Sequence, residues 1–172
     1  LLNKIFDDEG LRFVFSTRSA VPFIHNEAGQ PFYESPYRFN PEKDEIIREG
    51  DLGYVVSYGE MLYRCLDAVD RLREEGLSVG LINKPTLNVV DEEMMTRLGS
   101  TGFVLLVETQ SVKSGLGARF GTWLLERGYS TPYAHMGVTR EGQGGIVEQI
   151  GFQGLDPDNI LKKIRPMIQS NT

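Results

Sequence analysis

The run Leu52-Gly53-Tyr54-Val55-Val56-Ser57-Tyr58 is almost continuously apolar, and Gly59 ends it. A short apolar run that a glycine terminates is typical of a buried strand. Beyond it, apolar side chains recur every three or four residues with charged residues between them, at Met61, Leu62, Cys65, Leu66, Val69 and Leu72. This spacing predicts an amphipathic helix that runs to about Glu75 and stops at Gly76.

Strand and helix signals alternate from there to the end of the chain. We expect strands at residues 77–82, 103–107 and 133–138, and helices at 91–98, 116–127 and from Pro157 onward. Asp156 is expected to cap the last helix, and Pro166 is expected to kink or fray its final turn. Such alternation predicts an α/β fold, with a mostly parallel sheet and helices on both of its faces.

The residues before position 45 do not continue this alternation of strand and helix signals. Leu11-Arg12-Phe13-Val14-Phe15-Ser16 is typical of a short strand. Residues 19–44 hold four prolines, Pro22, Pro31, Pro36 and Pro41. Prolines at this spacing exclude a helix or a central strand, so an extended linker is predicted. The aromatic residues of this linker indicate that it lies against a surface.

The composition limits the classes of function. The 172 residues carry 18 Lys+Arg against 24 Asp+Glu, which gives a formal net charge of −6. A single Cys excludes an internal disulfide, and two His exclude a multi-histidine metal centre. An acidic chain without a basic stripe argues against nucleic acid as a partner, and no apolar run is long enough to span a membrane. We therefore expect a soluble, cytoplasmic domain.

Two glycine-rich turns and one carboxylate are candidates for a site. Gly115-Leu116-Gly117 opens a predicted helix, where free N–H groups can bind an anion, but no phosphate-loop spacing is present. We favour the interpretation that these glycines let the helix start close to the sheet. The glycine loop 142–145 is expected to be a surface loop, with a ligand cleft as the alternative. Glu108 ends a predicted strand, and we favour a structural role in accepting N–H groups of the next loop over a functional one.

Other candidates have simple structural explanations. Asp91-Glu92-Glu93 fits the first turn of a helix, where acidic residues suit the helix dipole. His135 is expected to be a core histidine with a hydrogen-bond partner, and Cys65 is expected to be a small hydrophobic residue. The residues by themselves indicate no nucleophile–base–acid set, metal cluster or cofactor loop.

Several segments follow one another in a recognisable order. They are Ile46 to Gly59, the helix Met61 to Leu72, Glu74 to Val79, Pro85-Thr86-Leu87, Asp91-Glu92-Glu93, Gly102 to Glu108, Ser114 to Gly117 and Gly154 to Ile160. In this order they resemble the C-terminal domain of transketolase-type thiamine diphosphate enzymes, with Ser114 and Leu116 as departures. The resemblance implies a three-layer α/β/α domain at residues 45–172, with about five strands, the first antiparallel. It also implies a linker at 19–44 and the end of a pyrimidine-binding domain at 1–18.

The resemblance also implies where the chemistry lies. In this family, two preceding domains hold the diphosphate, the divalent metal and the aminopyrimidine ring. Thiamine diphosphate and Mg are therefore expected in the parent enzyme, and neither on this chain, which is expected to have no catalytic residue. Thr17-Arg18-Ser19 is similar to the end of the family's pyrimidine-binding domain, which implies that Arg18 binds the phosphate of a sugar substrate. A surface pair with a carboxylate is the alternative for Arg18.

Four functions remain open on the sequence. The first is the C-terminal fragment, inactive by itself, of an enzyme that transfers a two-carbon ketol unit between phosphorylated sugars. The second is part of a 2-oxo acid dehydrogenase beta subunit, which Val56-Ser57-Tyr58-Gly59 resembles more closely. A deoxyxylulose phosphate synthase and a free-standing, non-catalytic assembly module are the others. The expected partners are the preceding domains of the same enzyme and a second copy in a homodimer.

Overall fold

Five strands form one mixed sheet within the part of the chain that the structure describes. The structure is a computed structural model, and it describes residues 9–17, 20–34, 36–140 and 147–170. The strands are β1 (Glu45–Arg48), β2 (Gly53–Ser57), β3 (Val79–Asn83), β4 (Val104–Ser111) and β5 (Tyr133–Val138). Their order in the sheet is β1-β3-β2-β4-β5. β1 runs antiparallel to β3 and the other strands are parallel, which confirms the predicted sheet.

The described residues also form five helices. They are α1 (Met61–Glu74), α2 (Glu92–Gly99), α3 (Leu116–Glu126), α4 (Val147–Gln153) and α5 (Pro157–Gln169). The Asp156 side chain accepts a hydrogen bond from the N–H of Asn159 at 3.0 Å, as expected of the cap of α5. Pro166 does not end α5, which continues to Gln169. Pro166 removes one backbone N–H and its hydrogen bond, but the three residues after it remain helical, so the last turn is not frayed.

The two faces of the sheet are covered by different helices. Val55, Leu105 and Val107 point to one face and pack with α1 and α5. Their neighbours Val56 and Leu106 point to the other face and pack with α2 and α3. This alternation is the period of two that a strand imposes, and it gives the predicted three layers.

β4 extends further than the sequence indicates. The apolar run stops at Val107, but the strand continues through polar residues to Ser111. Its register with β5 shifts between Val107 and Ser111. Pairing of Ser111 with Val138 in β5 holds the extension. The sequence of β4 alone does not indicate this pairing, so it does not predict the extension. The extension carries Glu108 and Gln110 beyond the apolar core.

Residues 20–44, without residue 35, are called the strap. Ile24 and Phe32 pack against the core on the α1 and α5 face. Arg48 in β1 donates to the carbonyl of His25 at 2.8 Å and pairs with Asp70 of α1 at 2.8 Å. The strap therefore lies against the domain, as its aromatic residues indicated.

The short strand expected at Leu11 to Ser16 is wrong for the described structure. Residues 11–16 belong to no strand, and Leu11, Phe13 and Phe15 are 80%, 75% and 83% exposed. A strand requires a hydrogen-bonded neighbour, which an apolar pattern alone does not supply. Among the described helices, none has the length and apolar character needed to cross a membrane.

Candidate functional site

The carboxyl ends of β2 and β4 meet at one edge of the sheet, next to the start of α3. Open α/β sheets bind ligands at this edge. Tyr58 follows β2, Glu108 lies in the extension of β4, and Gly115 precedes α3. These residues lie on the α2 and α3 face of the sheet, and they form the candidate site.

Glu108 is completely buried and occupies the N-terminus of α3. Its Oε2 accepts the N–H of Leu116 at 2.8 Å, and its Oε1 accepts the N–H of Gly117 at 2.7 Å. The hydroxyl of Tyr58 donates to the same carboxylate at 2.6 Å. A helix N-terminus attracts negative charge, and here the chain's own carboxylate supplies it. The predicted structural role of Glu108 is confirmed.

The glycines at this turn are required by close packing. A Cβ atom on Gly115 would lie 2.4 Å from Oε1 of Glu108, and one on Gly117 would lie 2.8 Å from the Cβ of His135. Both distances are too short for a side chain to fit without displacing its neighbour. The predicted reason for the glycines, a tight helix start against the sheet, is confirmed.

The tyrosines around Glu108 remain protonated at neutral pH. Burial raises the pKa of Tyr58, and the hydrogen bond to Glu108 and its charge raise it further. Burial and the charge of Glu108 also raise the pKa of Tyr133 on β5. Each hydroxyl therefore acts as a hydrogen-bond donor, and neither is a base for proton transfer.

The two side chains most often used as nucleophile and base are also held in structural roles. Cys65 is completely buried, and burial raises the pKa of its thiol to about 12, so it stays neutral. His135 is half-buried, with Nε2 3.2 Å from the carbonyl oxygen of Val112 and its ring beside Tyr133. The expectation for Cys65 is confirmed, and His135 has the expected partner but lies at the edge of the core, not within it.

The acidic residues at the start of α2 cap that helix and join it to neighbouring segments. The side chain of Asp91 accepts the N–H of Met94 at 3.3 Å, as a cap does. Glu92 forms an ion pair with Arg127, and Glu93 lies 2.9 Å from Lys43. The structural interpretation of these three acidic residues is confirmed.

A cavity of about 180 Å³ opens at this edge of the sheet. Its lining residues are Tyr58, Leu87, Gln110, Ser114, Gly115, Leu116 and Arg119. Arg119 is the charged member of this lining, and its guanidinium lies 5.4 Å from the centre of the Trp123 ring. The described lining has no carboxylate or imidazole beside Arg119, so the cavity offers no paired acid and base.

Sequence reasoning missed two polar groups, one buried around Lys84 and one partly buried around Glu45. Lys84, directly after β3, forms an ion pair with Asp44 at 2.8 Å. Glu45 of β1 accepts hydrogen bonds from the hydroxyls of Tyr33 and Tyr37 in the strap. The sequence indicates the first group only by a lysine, Lys84, that directly follows an apolar strand. Nothing in the local sequence pairs the tyrosines with Glu45.

Two predicted features lie outside the described residues, namely Arg18 and the glycine loop 142–145. Among the residues that are described, no group of three or more His, Cys, Asp or Glu could hold a metal ion. The N–H groups of α3 that a diphosphate would use are taken by Glu108. The described residues at the start of α3 therefore do not fit a bound diphosphate.

Comparison with known proteins gives one consistent result. Residues 42–160 match the family model described as the transketolase C-terminal domain. The chain is 25% identical over 145 residues to one subunit of the apulose-4-phosphate transketolase of Actinobacillus succinogenes, and the match covers 82% of this chain and 44% of that protein. It is 28% identical over 127 residues to 1-deoxy-D-xylulose-5-phosphate synthase of Carboxydothermus hydrogenoformans, and this match covers 72% of this chain and 20% of that protein.

A solved structure shows the same fold. It is described as a split gene transketolase, an inactive beta4 tetramer, and it superposes with a TM-score of 0.78 at 24% sequence identity. The superposition covers 90% of this chain and 49% of the other. In all three comparisons the matched region is less than half the length of the other protein.

Proposed function

The chain belongs to the transketolase C-terminal domain family, and from this premise we propose that it is the C-terminal part of a thiamine diphosphate-dependent enzyme. In this proposal the enzyme transfers a two-carbon ketol unit between phosphorylated sugars. The family match over residues 42–160 carries the proposal. The similarity to a transketolase subunit over 82% of the chain supports the choice of reaction.

The role proposed for this chain is structural. Glu108 occupies the start of α3 from within the chain, so the turn at Gly115 to Gly117 is closed to a substrate or cofactor phosphate. In the parent enzyme the preceding domains would hold thiamine diphosphate and Mg. This chain would complete the subunit, contribute to a homodimer and be inactive by itself.

The proposed domain organisation follows the family. Residues 1–18 would close a pyrimidine-binding domain, residues 19–44 would be the linker and residues 45–172 the C-terminal domain. Contacts of Ile24 and Phe32 with the domain core support a linker that is fixed in place. Arg18 would bind the phosphate of the sugar substrate, because a planar guanidinium donates two parallel hydrogen bonds to phosphate oxygens.

A deoxyxylulose phosphate synthase is the second candidate. It is favoured by the 28% identity to such a synthase over 127 residues. The two candidates differ in the donor and the product, so enzyme assays can separate them. A 2-oxo acid dehydrogenase beta subunit is supported only by the resemblance of residues 56–59 to that class of enzyme.

The test is an assay of the complete enzyme with thiamine diphosphate and magnesium. Phosphorylated ketoses are supplied as ketol donors and aldose phosphates as acceptors, and the exchanged sugars are separated by chromatography. We expect exchange that requires both substrates and the cofactor. Formation of deoxyxylulose phosphate, or oxidation of a 2-oxo acid without ketol exchange, would contradict the proposed reaction and assign the enzyme to another branch.

A further inference from the structure

The end of the strap is fastened to the domain by a buried ion pair. Lys84 lies directly after β3 with a side chain 1% exposed, and Asp44 lies directly before β1 with a side chain 3% exposed. Nζ of Lys84 lies 2.8 Å from Oδ1 of Asp44 and donates a second hydrogen bond to the carbonyl of Val89 at 2.8 Å. The ring of Trp123 covers the ammonium group at 5.7 Å.

Asp91 holds the same end of the strap from the other side. Its Oδ2 accepts the backbone N–H of Asp44 at 3.0 Å, and its Oδ1 accepts from Nζ of Lys43 at 3.1 Å. Lys84 and Asp91 are the two ends of the loop between β3 and α2, and both thus bind to residues 43 and 44. These contacts determine where the strap enters β1.

The buried pair is not fully satisfied. Oδ2 of Asp44 is buried and has no hydrogen-bond partner within the described structure. Burial is the main cause of the raised pKa of Asp44, and the attraction of Lys84 opposes this shift without cancelling it. Buried pairs with an unsatisfied oxygen add little net stability, because desolvation offsets their attraction, whereas removal of one partner leaves a costly unpaired charge.

We propose that Lys84 and Asp44 form a latch that sets the path of the strap into β1 and adds little to the stability of the domain. A charged pair has a required distance and direction, whereas apolar side chains of similar size tolerate several arrangements. The latch therefore selects one position for the strap. It acts in this way whatever reaction the parent enzyme performs.

The experiment compares Lys84→Met, Asp44→Leu and the double variant D44L/K84M in the 172-residue chain. Each single variant leaves one buried charge unpaired, and we expect its Tm to fall by roughly 5–15 °C. The double variant is expected to recover most of that loss. Lys43→Met is the matched control, because it removes a lysine of the same cluster that is 45% exposed, and a change of at most about 2 °C is expected.

Hydrogen exchange then separates a latch from simple packing. The N–H of Lys43 bonds to the carbonyl of Asn40 at 3.2 Å, and the N–H of Asp44 bonds to Asp91. In the double variant we expect both amides to exchange at least about ten times faster than in the unaltered chain. The amide of Phe32, bonded to the carbonyl of Ile24 at 2.8 Å in the distant part of the strap, is expected to keep its rate.

Two results would contradict the proposal that Lys84 and Asp44 form a latch. Unchanged exchange of the amides of residues 43 and 44 in the double variant would show that packing alone sets the path of the strap. A double variant as unstable as the single variants, or one that does not fold, would show that the pair is required for stability. If only the single variants fail to fold, the double variant still decides between these results.

Discussion

Replacement of Glu108 by Gln should destabilise the domain strongly, because three donors converge on this buried carboxylate. The amide of Gln retains one oxygen and presents an NH₂ group where the second oxygen was. In the better orientation, Leu116 and Tyr58 keep their acceptor, and the N–H of Gly117 faces a donor. The variant E108Q is thus isosteric and changes only charge and hydrogen bonding.

The magnitude follows from the bonds lost. One charge-assisted hydrogen bond to a buried group is worth about 1.5–3 kcal/mol, and the charge at the helix N-terminus adds about 0.3–1 kcal/mol. The lower cost of burying a neutral amide offsets part of this sum. We expect a loss of about 2–4 kcal/mol in the free energy of unfolding, or roughly 5–15 °C in Tm for a domain of this size.

The assay is urea unfolding followed by the fluorescence of Trp123, the single tryptophan of the chain, which lies on α3 itself. Glu126→Gln is the matched control, because Glu126 is an exposed residue at the other end of the same helix. We expect this control to change the free energy of unfolding by no more than about 0.5 kcal/mol. An E108Q variant as stable as the control would refute the assignment of Glu108 as the charge that caps α3.

The remaining predictions concern Arg18, Cys65 and Asp91. In the complete enzyme, Arg18→Ala should cost about 2–4 kcal/mol in kcat/KM with phosphorylated substrates and almost nothing with unphosphorylated ones, and equal losses would show a structural role. Cys65 should react with a thiol reagent at about pH 8 only after denaturant is added, because its raised pKa and complete burial keep it neutral and covered; fast labelling of the folded chain would contradict this. Asp91→Ala should cost about 1–2 kcal/mol at neutral pH through loss of the α2 cap, as measured by urea unfolding. Burial opposes ionisation of Asp91, but hydrogen bonds from Asp44, Lys43 and Met94 lower its pKa overall. The cost of the substitution should therefore shrink as the pH falls below about 4, where the carboxylate becomes protonated. A cost that does not change with pH would contradict a lowered pKa.

Local patterns were sufficient for the parallel part of the sheet and for the capping carboxylates. The apolar run at residues 52–58 and the helical spacing after it identify β2 and α1, because both signals lie within one element. Glu108 was assigned correctly because a carboxylate at a strand end followed by a glycine-rich helix start has few structural alternatives. The antiparallel β1 strand is only four residues long and was expected only from the family resemblance.

Other features depend on pairs that are distant in sequence. Lys84 and Asp44 are 40 residues apart, and Tyr58 and Glu108 are 50 apart, so no single segment indicates either contact. The extension of β4 to Ser111 depends on the neighbouring β5 in the same way. The strand expected at Leu11 to Ser16 was wrong because its pattern was read without a sheet to pair with.

The central proposal is that this chain supplies structure to a transketolase-type enzyme and that its described residues form no site for the cofactor. Calorimetric titration with thiamine diphosphate and magnesium tests this claim most directly, with the 172-residue chain and the complete enzyme measured side by side. We predict a saturable heat of binding for the complete enzyme and none for the chain, because Glu108 already occupies the N-terminus of α3. Micromolar binding of one thiamine diphosphate per isolated chain would contradict the claim.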